Sequence, residues 1–215
     1  MNKVLLLTSL VLCLSSRAPA QTPMPTPAPA PKPSVQFEAP KFLPEGVVGR
    51  ELRDLSGRAF RLSDFGGRVY VINLWATWCG PCQREIPGLN RVYEDFRERG
   101  VEFIGLTTED STVAAERVRE FTGELRMKYR IGWLDAVTAR ALMSWNAAQS
   151  GSPVRYNIPQ TFVMAADGHV VLHLRGYSPA VSDMVRASIQ KALDLSSSQA
   201  PAPPGAAVEP LKPKL

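Results

Sequence analysis

Two cysteines separated by two residues, Cys79 and Cys82, are the side chains of this sequence best suited to covalent chemistry. They follow the apolar run Val69-Tyr-Val-Ile-Asn-Leu-Trp75. They open a stretch in which Ile86, Leu89, Val92, Tyr93 and Phe96 fall on one helical stripe. A thiol at the start of a helix faces unpaired backbone N–H groups and the positive end of the helix dipole. Both lower its pKa and make it a nucleophile near neutral pH. Cys79 is the expected nucleophile. Cys82, one turn further in and partly shielded, is expected to attack the mixed disulfide that Cys79 forms and to release the partner in reduced form. Gly80 offers little steric resistance to an approaching partner, and Pro81 suits a first helical turn, where its missing N–H costs nothing.

Other uses of the pair fit less well. It could be half of a zinc site, but the remaining soft ligands, His169 and His173, lie far along the chain on one face of a single strand. As a purely structural crosslink it would remove very little loop entropy, because it joins residues only three apart. A peroxidatic cysteine usually stands in a Thr-x-x-Cys setting, whereas Thr77 is only two residues before Cys79. The expected redox group is therefore the Cys79–Cys82 disulfide itself, with no metal and no bound cofactor.

The elements needed to hold this pair can be read around it. Val69–Trp75 is nearly all aliphatic, aromatic or β-branched, as a central strand buried on both faces should be, and Val101–Leu106 is a second such run. Strand, helix and strand in this order imply a parallel pair with a right-handed crossover. Residues 50–62 read as an N-terminal hairpin around Ser56-Gly57. A second hairpin joins 160–164 to 169–174 through Asp167-Gly168. Further helices are expected at about 113–125, 137–147 and 179–195. The fold class is α/β, with a mixed central sheet flanked by helices.

The 215 residues carry a net charge of +5, but Arg and Lys are interspersed with acidic neighbours, as in Tyr93-Glu-Asp-Phe-Arg-Glu-Arg99. No basic face or run emerges, which argues against a nucleic-acid partner. Lys3, the apolar run Val4–Leu12 and Ala18-Pro-Ala20 have the layout of a secretory signal peptide, so residues 1–20 are expected to direct export. The apolar run is much shorter than the ~20 residues that span a bilayer. Cys13 leaves open a lipidated form, although Leu12 is bulky for that processing. Residues 21–45 read as a Pro-rich linker, 46–195 as the globular domain and 196–215 as a disordered tail. A domain of about 150 residues buries roughly 70% of its unfolded surface, so it needs no disulfide to support its core.

The run Trp75-Ala-Thr-Trp-Cys-Gly-Pro-Cys82 resembles the active-site segment of the thioredoxin superfamily. Leu62-Ser-Asp-Phe-Gly-Gly-Arg-Val-Tyr-Val-Ile-Asn-Leu-Trp75, Gln83-Arg-Glu-Ile-Pro87 and Ile158-Pro-Gln-Thr-Phe162 narrow this to the exported TlpA/ResA family. The resemblance covers roughly residues 46–195. It implies a thioredoxin fold and thiol–disulfide exchange, commonly in the reducing direction toward apocytochrome c or other envelope proteins. It further implies that Pro159 is cis and packs against the cysteine pair, with the backbone of Ile158 open to an extended partner peptide. Glu85 corresponds to the family's acidic residue three after the second cysteine. On a helix that spacing puts it on the face of Cys82, where it could raise that thiol's pKa or relay its proton. A solvated first-turn carboxylate is the plainer alternative. Trp78 is expected to shield the sulfurs, or simply to pack.

Two departures qualify the resemblance. Asn73 stands where ordinary thioredoxins have a buried aspartate, which leaves proton transfer to Glu85 or water and makes Asn73 a structural residue. Residues 146–156 form a connection longer than usual, either a place where partner choice is set or a neutral insertion. The Arg155-Tyr-Asn-Ile158 run also replaces a glycine-containing segment of members dedicated to cytochrome c maturation. Three functions follow: a reductase fed by a membrane electron donor, an oxidant that forms disulfides, and a polypeptide-binding module with incidental cysteines. Reduction potential separates the first two, from about −270 mV for thioredoxin to about −120 mV for DsbA.

Overall fold

The computed structural model describes residues 41–145 and 157–199. The expectations for the signal peptide, Cys13, the 146–156 connection and most of the linker and tail lie outside these residues.

The centre of the molecule is the parallel pair β4 (Tyr70–Trp75) and β5 (Glu102–Thr107), joined by α2 (Gly80–Phe96). A second crossover, α3 (Ser111–Glu124), leads to β6 (Arg130–Trp133), which is parallel to β5. On the other side of β4, β7 (Gln160–Met164) and β8 (His169–Arg175) run antiparallel. The hairpin β2 (Leu52–Asp54) and β3 (Ala59–Phe60) extends the sheet from β6, and β1 (Lys41–Phe42) extends it from β8. The order is β1-β8-β7-β4-β5-β6-β2-β3, an eight-stranded mixed sheet.

Alternation along β4 explains its unbroken apolar reading. Val71 and Trp75 enter the core on one face, and Tyr70, Ile72 and Leu74 enter the core on the other. The first face is covered by α2, α3 and α5 (Val181–Gln199), the second by α1 (Glu45–Val48) and α4 (Ala136–Ser144). Where α2 meets α5 a Cβ at position 88 would press on the Ser182 hydroxyl, so Gly88 allows that side chain to keep its place at a close crossing. α2 also runs through Pro87, which cannot donate the helical hydrogen bond to Gln83.

The sheet, both hairpins and the three expected helices are present. The chain departs from expectation at both ends of the domain and near its middle. The linker does not run to residue 45: Lys41–Phe42 pairs with β8 and Leu43 is buried, so the segment is ordered by strand addition despite its prolines. The tail does not begin at 196, because α5 continues to Gln199, with Ser196 and Ser197 hydroxyls bonded back to the carbonyls of Ala192 and Leu193. β6 was not anticipated. Its four residues carry only Ile131 and Trp133 as strand formers, and pairing to β5 and β2 on either side makes it a strand.

Candidate active site

β4 ends at Trp75, and the turn that follows delivers Cys79 as the N-cap of α2. Its sulfur accepts a hydrogen bond from the Cys82 N–H at 3.2 Å, in the place where a Ser or Asp oxygen usually caps a helix. Cys79 and Cys82 are joined as a disulfide with Cα atoms 5.2 Å apart. Both cysteines are buried, Cys79 at 4% exposure and Cys82 at 1%. Gly80 and Pro81 fill the first helical turn between them.

The turn before the pair is held by residues that sequence reasoning missed. Glu109, just past the end of β5, accepts from the Thr77 N–H at 2.7 Å and from the Thr77 hydroxyl at 2.9 Å. Arg117 on α3 donates to the same carboxylate at 2.7 Å and to the Thr77 hydroxyl at 3.1 Å. The Gln83 side-chain amide donates to the Thr77 carbonyl at 2.8 Å. Burial pushes Glu109 up, but the Thr77 N–H and the Arg117 guanidinium outweigh it and hold the carboxyl below its usual range. The available signal was positional: an acidic residue directly after a central parallel strand, at the sheet edge where such folds place their sites. Trp78, the next residue, is 70% exposed. Its ring is therefore not core packing; it lines a groove with Thr77, Arg117, Glu120, Phe121 and Glu124.

Glu85 lies one turn beyond Cys82 and is 3% exposed, which excludes the solvated first-turn role. Its Oε1 accepts from the Thr161 hydroxyl at 2.6 Å and from Asn73 Nδ2 at 3.2 Å, and the same amide nitrogen donates to Thr161 Oγ1 at 3.0 Å. Burial pushes the Glu85 carboxyl up to about 7, against the smaller opposing effect of the Thr161 bond. Asn73 is thus the residue through which β4 holds Glu85.

The Ile158–Pro159 peptide bond is cis and Pro159 is buried. Ile158 packs, partly buried, against the cluster that contains both cysteines. The Pro159 carbonyl accepts from the Gly176 N–H at 2.8 Å. Gln160 donates to the Asn157 carbonyl at 2.9 Å, and its Oε1 lies 2.9 Å from His173 Nε2. His173 stacks on Phe162 at 4.1 Å, and burial lowers its pKa to about 3, so it is a neutral imidazole that donates from Nε2. The two histidines do not converge on the cysteines, and among the described residues no group of three or more His, Cys, Asp or Glu could hold a metal.

A disulfide that caps the helix after a central parallel strand, beside a cis-proline loop, defines a thiol–disulfide oxidoreductase of thioredoxin fold. Residues 35–173 match the AhpC/TSA family, and the chain belongs to that family. Among curated relatives it is similar to the thiol-disulfide oxidoreductase ResA of Bacillus thuringiensis, with 28% identity over 144 residues, 65% of this chain and 68% of that protein. ResA of Geobacillus kaustophilus is 38% identical over 72 residues, 34% of this chain and 41% of its own length. Among solved structures, a thioredoxin-family thiol:disulfide interchange protein from Chlorobium tepidum superposes with a TM-score of 0.57 at 23% identity. That match covers 73% of this chain and 98% of the other. The resemblance to the TlpA/ResA family read from the motifs holds.

Proposed function

We propose that this oxidoreductase is exported by residues 1–20 to the periplasm or cell envelope and works there as a reductase of protein disulfides. The Cys79 thiolate attacks one sulfur of a partner disulfide, forming a Cys79–partner bond and releasing the other sulfur as a thiolate. Cys82 gives its proton to the Glu85 carboxylate and attacks Cys79 Sγ. The Cys79–Cys82 bond forms, the second partner thiolate leaves, and two electrons have passed from the pair to the partner. Glu85 returns the proton to solvent, and a membrane dithiol donor restores the pair by the same exchange in reverse. Trp78, Gly80, Pro81, Ile158 and Pro159 form the surface against which the partner lies, with the Ile158 backbone pairing to an extended segment. Envelope proteins, apocytochrome c among them, are the substrates.

One observation carries the reducing direction: the buried carboxyl of Glu85 one turn from Cys82, whose hydrogen-bond partners among the described residues are the uncharged Asn73 and Thr161. Once ionised it opposes a thiolate beside it, so it destabilises the reduced pair relative to the disulfide. The strong oxidant DsbA owes its potential to the opposite arrangement, a stabilised reduced form. The test is an equilibrium titration of the chain against glutathione. A potential near or below about −250 mV is expected; a value above about −160 mV would replace this reading with a disulfide-forming oxidant.

A further inference from the structure

Four buried polar atoms near the cysteine pair have no hydrogen-bond partner among the described residues: Asn73 Oδ1, Trp75 Nε1, Glu85 Oε2 and the Tyr129 hydroxyl. They belong to one neighbourhood. Strand register places Thr161, Asn73, Gly105 and Ile131 side by side across β7, β4, β5 and β6, in one row on the face that α2 covers. Glu85 descends from α2 onto the Thr161–Asn73 end of this row and uses only its Oε1 there. At Gly105 there is no side chain. A Cβ at that position would lie 3.0 Å from Trp75 Nε1 and 3.1 Å from Tyr129 Cε2, so both rings rest directly on the sheet beside Asn73. Burial pushes the pKa of the Tyr129 phenol up, and the negative charge of Glu85 adds to it.

The four atoms are also complementary. The Trp75 indole and the Tyr129 hydroxyl are donors, whereas Glu85 Oε2 and Asn73 Oδ1 are acceptors. A buried donor or acceptor left unmet is costly, and a group of them in one neighbourhood calls for a shared partner. An internal water typically makes two to four such bonds. We propose that Asn73, Trp75, Glu85 and Tyr129 hold an internal water between their unmet polar atoms, and that through it Trp75 and Tyr129 act as positioning residues that set the protonation of Glu85. Water donates to Oε2 while accepting from the indole and the phenol, which favours the carboxylate and leaves Oε1 to Asn73 and Thr161. The water's importance for exchange rests on the role proposed for Glu85 above; its existence does not.

The titratable groups facing Glu85 are Cys82 on α2 and Tyr129 from the segment before β6, while β4 and β7 present the neutral Asn73 and Thr161. In the oxidised protein neither cysteine titrates, so the Glu85 carboxyl can be followed alone by carbon-13 NMR of labelled glutamate. Tyr129→Phe is expected to shift its midpoint upward by about one pH unit. In the unmodified oxidised protein, the Trp75 indole proton is expected to show a cross-peak to a long-lived water, a measurement that needs no variant. No cross-peak, or a Glu85 midpoint unmoved by a folded Tyr129→Phe, overturns the proposal. If the water and the shift are found but Glu85→Gln exchanges disulfides at the normal rate, the water site stands and the proton-relay reading of Glu85 falls.

Discussion

Glu109 and Glu85 flank the same disulfide and are similarly hidden, at 8% and 3% exposure, yet their carboxyls are displaced in opposite directions. Glu109 takes bonds from a backbone N–H, a hydroxyl and a guanidinium, so its charge is compensated and it works as a fixed clamp on Thr77. Glu85 takes one hydroxyl and one amide, neither of them charged, and is left poised near neutrality. Burial alone therefore does not decide what a carboxylate does beside a reactive sulfur. The set of donors that meets it does: the Thr77 N–H, the Arg117 guanidinium and the Thr77 hydroxyl at Glu109, against one hydroxyl and one amide at Glu85, divide a holding role from a proton-transfer role.

Cys79→Ser removes the object that both carboxylates serve, and it is expected to reduce insulin-disulfide reduction to the uncatalysed level. Glu85→Gln comes next. Exchange at pH 7 is expected to fall about a hundredfold, the size of a lost general base, and the pH–rate profile is expected to lose its inflection near 7. The same variant tests stability. Because the folded-state pKa of Glu85 lies above the ordinary 4.5, its contribution is greatest below pH 4.5 and declines by up to about 3 kcal/mol as pH rises to 7. Denaturant titrations of the oxidised variant should lack that decline.

Glu109→Gln is expected to slow exchange only severalfold while costing about 1–3 kcal/mol of stability, the loss of charge-assisted bonds. Its pH signature has the opposite sign: the wild-type contribution is present above the ordinary carboxylate range and is lost as pH falls through the lowered pKa. Should Glu85→Gln and Glu109→Gln give the same pH dependence, the division between clamp and relay would fail. Trp78→Ala has the smallest expected effect: stability within about 0.5 kcal/mol of wild type, with a higher KM for protein disulfides and an unchanged kcat.

The parts of the site legible in the sequence are those carried by local spacing. Cys79, Cys82 and Glu85 share one helix, so three-residue separations suffice to place them, and the apolar runs of β4 and β5 identify the strands that frame that helix. Glu109 and Arg117 escaped because their contact with Thr77 spans 32 and 40 residues, and nothing local marks an acidic residue after a strand as a clamp. Asn73 was visible as a departure from thioredoxin, but its partnership with Thr161, 88 residues away, depends on the β4–β7 register. β1 and β6 were missed for a related reason: pairing, not propensity, makes them strands.

Pro87 and Gly88 divide α2 into two mechanical parts. From Gly88 onward the helix packs closely against α5, where a methyl group at the crossing would have to displace the Ser182 hydroxyl. The turn before Pro87, which carries both sulfurs and Glu85, lacks one of the hydrogen bonds that would bind it to the packed part. When the disulfide opens and its sulfurs separate, the displacement has a compliant element to enter before it meets a stiff one. The redox end of α2 is thus tied to the rest of the helix by one hydrogen bond fewer than an unbroken helix would give it.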